Sequence, residues 1–439
     1  MKPKRSMHQP QRELFRVELL QLVDASHPLV KLGGRLNWAV FEEQLGATYH
    51  ARTGAPGIDT RLMVALHYLK YQYNLSDEAV VARWTENPYW QHFSGRQFFE
   101  HETPVDPSSM TRWRKRLGEA GAETMLKATI EAGVTMKAIT SSHVQHVNVD
   151  TTVQTKAIRH PTDSRLYDRA RERLVTHARK AGLRIKQSYE RVGKQLVMKA
   201  SRYAHARQMK RAKACTRKLK TNLGRVIREI ERQEAVPALT RILDISKRIH
   251  AQRIDTKDKV YSVHEPETKC IAKGKAGKKY EFGQKVSVAV TSKGGWLLGA
   301  LCITGNPYDG HTLNQQMEQV ERLCIKKPGA QTVHVDMGYR GHDYQGERTV
   351  IVDKRRRGET PRRIWRWMKR RAAVEPTIGH LKSEHRLERN QLRGTVGDAI
   401  NALLSAAAMN FGKLLSFFLA LLLNLLQQLF HDPHKTQPA

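Results

Sequence analysis

The sequence predicts a mixed α/β protein in three parts: an all-α N-terminal domain, a strand-containing core, and a long basic helical segment inserted into that core after its first strand. Three observations point there. Residues from about 12 to 140 carry helix-spaced apolar stripes. Residues 144 to 153 switch to strand alternation, and strands return after about 284. Between 163 and 255 the chain is helical in pattern, rich in Lys and Arg, and without strand alternation.

Composition bounds the function. The chain has 439 residues, 40% of them hydrophobic, which suits two or three domains with real cores. Lys and Arg number 76 against 42 Asp and Glu, a formal charge of +34. A charge of that size calls for a polyanion, with nucleic acid first and an anionic membrane or ribosomal RNA satisfying the same arithmetic. Cys215, Cys270, Cys302 and Cys324 lie far apart with no metal-ligand spacing, so neither zinc nor a disulfide framework is expected. The basic start "MKPKRSMHQPQRELF" lacks the apolar core of a secretory signal.

In the N-terminal domain (1–140), "TRLMVALHYLKYQYNL" places Leu62, Leu66 and Leu69 on one helical stripe, and Ser76 is a natural N-cap for the next helix. In "VDPSSMTRWRKRLGE", Asp106 as N-cap and Pro107 at the first helical position announce a short helix with Arg112, Arg114, Lys115 and Arg116. Two readings fit it: the recognition helix of a helix-turn-helix, or a solvated basic helix packed through Met110, Trp113 and Leu117.

The core spans 141–162 and 256–410, around the basic insertion at 163–255. "HVQHVNVDTTV" alternates Val144, Val147, Val149 and Val153 as a strand with Asp150 near its end. "QKVSVAVTSKGGWLLGALCITG" is a hairpin turning at Lys293-Gly294-Gly295. "TLNQQMEQVERLC" is an amphipathic helix, "QTVHVDMGYRG" a strand ending at Asp336, and "ERTVIVD" a further short strand. "RRIWRWMKRRAAVEPTIGHLKSEHRL" has helical periodicity, which Pro376 is set to kink or to start anew. This is the element order of an RNase H-like α/β fold. The last segment, 411–439, begins with an apolar run over 411 to 430 that fits a membrane span, a buried terminal helix or a self-association surface.

Three acids fall at matching places: Asp150, Asp336, and Glu375 on the final helix. Carboxylates that converge at strand ends suit a hard divalent cation, which takes oxygen ligands and keeps some waters. Two such ions roughly 3.5–4 Å apart can serve an in-line displacement at phosphorus. Taken singly, an aspartate at a strand end is an ordinary turn or cap residue.

The blocks "VDTTVQTKAIRHPTDSRL", "KYEFGQKVSVAV", "GNPYDGHTL", "VDMGYRG" and "RAAVEPTIGHLKSEHRLERNQLRG" together resemble a DDE transposase of a bacterial insertion sequence, in the group related to the InsH transposases. The resemblance runs over nearly the whole chain. It implies Asp150, Asp336 and Glu375 as the catalytic, metal-binding triad, holding Mg²⁺ or substitute Mn²⁺, with two ions expected when DNA is bound. The family's Tyr-x2-Arg-x3-Glu-x6-Lys signature falls on Arg371, Glu375 and Lys382, with Met368 at the tyrosine position, where no phenol can donate a hydrogen bond. At about 100° per residue these four share one helix face; the bland reading of Arg371 and Glu375 is an i,i+4 surface pair.

Smaller expectations accompany these. Tyr339 and Arg340 lie near the site, as turn residues or, for Arg340, a DNA phosphate contact; Asp309 caps the following helix or, with His311, supports the site or DNA; and Lys273 and Lys275 contact phosphate or belong to a basic loop. The resemblance implies double-stranded DNA as partner, both terminal inverted repeats and target, held by the N-terminal domain and by the basic insertion. It also implies a homodimer on DNA and a cytoplasmic, nucleoid-associated location rather than a membrane one. The alternatives are a catalytically decayed DNA-binding relative and a non-catalytic basic scaffold.

Overall fold

The computed structural model describes residues 17–46, 57–233, 236–272, 279–324, 329–353 and 361–430. It divides into two compact units, one of Met1–Gln154, Lys285–Leu392 and Val396–Ala439, the other of Thr155–Gln284 and Arg393–Thr395. The expected N-terminal domain therefore lies in one unit with most of the strands.

The first unit opens with α1 (Leu19–Leu22), α2 (Pro28–Gly33), α3 (Trp38–Gly46), α4 (Thr60–Gln72), α5 (Asp77–Glu86) and α6 (Pro88–Phe93), followed by α7 (Pro107–Thr135) and α8 (Ser141–Val144). From Leu62 to Tyr71 every residue of α4 is buried, so it is a central helix rather than one with a single apolar stripe. Ser76 caps α5 by accepting from Ala79 N–H, and Asp106 caps α7 by accepting from Ser108 N–H. Helix α7 bends at Gly118, whose φ of 62° lies in the left-handed region that glycine enters without a Cβ penalty. The expected short basic helix is thus the first arm of a longer bent one.

Charge buried in this helical layer is paired. Asp77 accepts from both guanidinium nitrogens of Arg114, at 2.8 and 2.6 Å, and from Lys70 Nζ at 2.7 Å. Burial by itself would raise the Asp77 carboxyl; Arg114 and Lys70 outweigh it and hold it far below the usual range. Burial, reinforced by Arg114, pushes His67 down to about 3, so its ring is neutral. Its Nδ1–H donates to Met63 carbonyl at 2.7 Å.

The sheet follows. Strands β1 (His146–Lys156), β2 (Lys269–Ala272), β3 (Tyr280–Thr291), β4 (Leu297–Ile303), β5 (Thr332–Val335), β6 (Thr349–Val352) and β7 (Arg389–Asn390) form one path, β2-β3-β1-β5-β6, with β4 on β3 and β7 on β1. Strands β1, β5 and β6 are parallel, and β3 and β4 form the expected antiparallel hairpin. Helix α13 (Leu313–Leu323) precedes β5, while α14 (Arg362–Arg371) and α15 (Val374–Ser383) follow β6. Asp150 is not at the end of β1, as expected, but its fifth residue. Parallel pairing to the short β5 stops near it while the strand runs on to Lys156.

The chain's apolar C-terminal run belongs to α16 (Gly394–Phe430), which is long and apolar enough to cross a membrane yet is 61% buried over its most apolar window. Buried amides fix its register. Asn410 exchanges two 2.9 Å hydrogen bonds with the backbone of Leu297, and Asn401 receives Tyr71 hydroxyl at 2.9 Å and donates to Gln154 at 2.8 Å. Phe411 stacks on Tyr68 with centroids 5.2 Å apart. Those contacts tie the N-terminal helices and the sheet to one helix.

The second unit holds α9 (Asp163–Lys180), α10 (Glu190–His205), α11 (Met209–Glu231) and α12 (Thr240–Ala251) around Leu174, Leu223, Val226 and Ile249. Beside them, Lys156 pairs with Glu265 at 2.9 Å and lies 3.8 Å from Glu267. Burial and the hydrogen-bonded Glu265 raise Glu267 to about 7.

Two predictions follow from these pairs. Asp77→Ala leaves Arg114 and Lys70 buried without their acid and lowers unfolding free energy by about 3–5 kcal/mol in chemical denaturation. Glu267 has a folded value above its unfolded one. Its stabilising contribution is therefore full below about pH 4.5 and lost as pH rises through about 7. In thermal unfolding, Glu267→Gln matches wild type near pH 5 and exceeds it at pH 8.5.

Candidate active site and nucleic-acid interface

Parallel register assembles the site. Strands β1 and β5 pair His146 with Thr332, Val147 with Val333 and Asn148 with His334. The paired register ends there; the same offset carried two residues further brings Asp150 level with Asp336, just past the end of β5. Strand β6 continues the row: Val335 pairs with Val352, and Asp353 N–H donates to Val335 carbonyl at 2.9 Å, which brings Asp353 beside Asp336. Period-two alternation then puts His146, Asn148, Asp150, His334, Asp336 and Asp353 on one face. The intervening Val147, Val149, Val333 and Val335 are buried in the main core.

Helix α14 covers that polar face in step with β1. Trp367 stacks on His146 at 3.7 Å, Asn148 donates to Arg370 carbonyl at 3.3 Å, and Arg371 reaches Asp150 at 3.5 Å. His146 Nδ1 lies 3.2 Å from His334 Nε2, and burial, with His146 adding to it, depresses His334 to about 4. Met368, at the signature's tyrosine position, is buried.

The break before Pro376 is visible in the backbone. Pro376 has no N–H to give Ala372 carbonyl, which instead accepts from Glu375 at 3.3 Å, one residue early. Ala372 and Ala373 stay right-handed, so α14 ends at Arg371 and α15 starts at Val374 with little change of phase. Glu375 stands in the first turn of α15 and is exposed; Arg371, one turn before it, is buried.

Sequence reasoning passed over Asp353. It is 4% exposed, and its Oδ2 lies 3.5 Å from Arg371 Nε, while Arg371 Nη1 lies 3.5 Å from Asp150 Oδ2. One guanidinium is therefore shared by two acids of the row. The signal was present in "ERTVIVD", where Asp353 closes a short strand as Asp336 does, but only the register reveals the match.

Asp336 caps a 3-10 turn by accepting from Gly338 N–H at 2.9 Å. A Cβ on Gly338 would meet Asp336 Oδ1 at 2.9 Å, so glycine permits the approach. Tyr339 is buried, and its hydroxyl is raised well above its ordinary value, first by burial and then by Asp150 and Asp309. Asp309 does not cap α13 as expected; it binds Lys285 at 2.7 Å, while Tyr308 hydroxyl donates to Arg340 carbonyl at 2.6 Å.

The expected DNA contacts divide. Arg112, Lys115, Arg116 and Arg340 are exposed, and Lys382 is half-buried. Arg114 is corrected: it is buried against Asp77, because its position falls on the inward face with Met110, Trp113 and Leu117. Lys273 and Lys275 lie outside the described residues.

Asp150 and Asp336 fit a hard divalent cation in donor chemistry and in their shared register. Among the described residues no three His, Cys, Asp or Glu side chains converge as one ligand group. The backbone N–H of Thr151 and the guanidinium of Arg371 engage Asp150, and Gly338 N–H engages Asp336.

Two family models and one curated relative match the chain. Residues 17–116 match the family model "Transposase domain (DUF772)", and residues 251–411 match "Transposase DDE domain", a span that contains Asp336, Asp353, Arg371 and Glu375. The chain is 52% identical over 196 residues to "Uncharacterized protein ORF8 in nfe locus" of Rhizobium meliloti, which covers 45% of this chain and 94% of that protein. No solved structure matches. By its two domain matches, the chain belongs to the DDE transposases of insertion sequences.

Proposed function

We propose that this enzyme cleaves phosphodiesters at the ends of its insertion sequence and joins the freed 3′-hydroxyl to target DNA, at a site formed by Asp150, Asp336 and Glu375. The observation that carries this is the parallel β1–β5 register, whose offset, continued past Asn148 and His334, brings Asp150 level with Asp336, together with the helix break that exposes Glu375. The strand order β4-β3-β1-β5-β6, with β1, β5 and β6 parallel, supports an RNase H-like core.

Asp150 and Asp336 would hold the divalent cation, Mg²⁺ or Mn²⁺, and Glu375 would complete the set by moving with the first turn of α15. The cation supplies charge that activates an attacking oxygen and stabilises the leaving one. Lys382 places a phosphate beside Glu375, while Arg371, expected to do the same on its other side, is buried on Asp150 and Asp353 and orders those acids instead. Arg112, Lys115 and Arg116 form the exposed edge of α7 that meets the terminal repeats, and Arg340 contacts phosphate beside Asp336. Two ends require two active sites, hence a homodimer on DNA, in the cytoplasm.

Asp353 positions Arg371. With its Nε held by Asp353, the guanidinium can release Asp150 to the cation without becoming an unpaired buried charge.

Strand transfer on labelled end DNA tests the triad. Asp150→Ala, Asp336→Ala and Glu375→Ala each remove several kcal/mol of transition-state stabilisation, a loss of about a thousand-fold, and retain end binding. Equal activity in all four proteins would overturn the assignment.

Mn²⁺ affinity tests the role of Asp353. In Asp353→Asn, Arg371 pairs with Asp150 alone and competes with the cation, so affinity falls about tenfold; in an Arg371→Gln background the same substitution has no effect. Equal losses in both backgrounds would assign Asp353 a packing role only.

A further inference from the structure

The inserted unit carries a surface that the active site does not use. Helices α10 and α11 form a hairpin of 16 and 23 residues, about 24 and 34 Å long. From Arg191 to Arg228 the sequence holds 13 Lys and Arg and no Asp or Glu. Nearly all of these cations are exposed. At about 100° per residue, those of α11, including Lys210, Arg211, Lys213, Arg217, Lys218 and Arg225, spread over one half of its circumference, roughly 180°. Its buried residues, such as Ala212, Cys215, Leu219, Leu223 and Val226, fill the other half.

The hairpin is anchored at one end and solvated at the other. At its base, Arg171 is 2% exposed, pairs with Asp168 at 2.7 Å and donates to Ser188 carbonyl at 2.9 Å. Gly193 lies against that pair, where a Cβ would meet Asp168 Oδ1. Toward the turn, residues 201–211 are exposed apart from half-buried Tyr203. Like charges along both helices repel one another, and no acid on the hairpin between Arg191 and Arg228 relieves them.

We infer that the α10–α11 hairpin is an arm that grips the phosphate backbone of duplex DNA without reading its sequence. The uniform sign is complementary to phosphate and carries no base code. A single-stranded partner calls for aromatic platforms on which bases stack. Besides the imidazole of His205, the hairpin has a single aromatic ring, Tyr203, with Arg211 over it at 5.8 Å. A membrane-lying helix calls for a broad apolar face. Here the exposed large apolar residues are the scattered Val192, Met198 and Met209.

The test is full-length protein titrated with a random 30-base-pair duplex by fluorescence anisotropy, over a series of KCl concentrations. The compared variant combines Lys210→Gln, Arg211→Gln, Lys213→Gln, Arg217→Gln and Lys218→Gln. Each lost phosphate contact makes the slope of log affinity against log salt shallower by about 0.9, so the variant's slope falls by about 2–4, with at least about 10²-fold weaker binding at low salt. A duplex carrying the element's ends loses affinity by the same factor. A second variant that exchanges Lys for Arg and Arg for Lys at the five positions keeps the wild-type slope, which separates charge from folding. An unchanged slope in the Gln variant overturns the inference. So does a loss confined to end DNA, or a greater loss toward single-stranded RNA or anionic phosphatidylserine vesicles than toward duplex. Binding is read without catalysis, so the outcome is independent of the triad assignment.

Discussion

Everything at the site depends on the register in which three short parallel stretches pair. Side chains alternate with period two, so a slip of one residue would turn every acid of the row into the valine core and every valine out. Val147 and Val149 of β1, with Val333 and Val335 of β5, are fully buried. Apolar burial on that face thus fixes Asp150, Asp336 and Asp353 on the other. Hydrophobic patterning, which has no chemistry of its own, determines which carboxylates become neighbours.

Carboxylates held together repel, and each needs a partner that favours its charged form. Backbone N–H groups serve two of them, at Thr151 and Gly338, and Arg371 serves Asp150 and Asp353. That guanidinium reaches the row because α14 is already docked on it through Trp367 and Arg370. The same helix must then stop, since Pro376 withholds the N–H that would continue it. Neutralising the row and presenting Glu375 are consequently two results of one local sequence, "RRAAVEP".

Much of this was legible from residues alone, and the boundary of legibility has physical causes. Caps at Ser76 and Asp106, the Gly294-Gly295 hairpin and the interruption at Pro376 are local effects, encoded within a few residues of where they act. The likeness of position between Asp150 and Asp336 also showed, through the strand patterns that flank each. Asp353 did not show, because its meaning lies in pairing with another strand, at Val335. Arg114 was misread for a related reason. Its burial follows the helical phase of Met110, Trp113 and Leu117, but nothing local names the acid that compensates it, Asp77 on another helix. Both features turn on long-range charge pairings, whose partners periodicity does not name.

The departure at Met368 can be judged on the same terms. A tyrosine there would be valued for a hydroxyl, but this position is on the buried face of α14, where an unpaired hydroxyl carries a desolvation penalty of about 1–3 kcal/mol. Methionine fills the space without a polar atom to satisfy. Orientation of α14 passes to its neighbour Trp367, whose ring spans His146 and lies beneath Arg370 at 4.9 Å and Lys293 at 5.7 Å. His334 strengthens that platform by staying uncharged: depressed to about 4, it can sit 3.2 Å from His146 without like-charge repulsion at neutral pH. Stacking and cation–π contact thus hold the helix that a phenol would otherwise help to place, and Arg371 keeps its station over the acids.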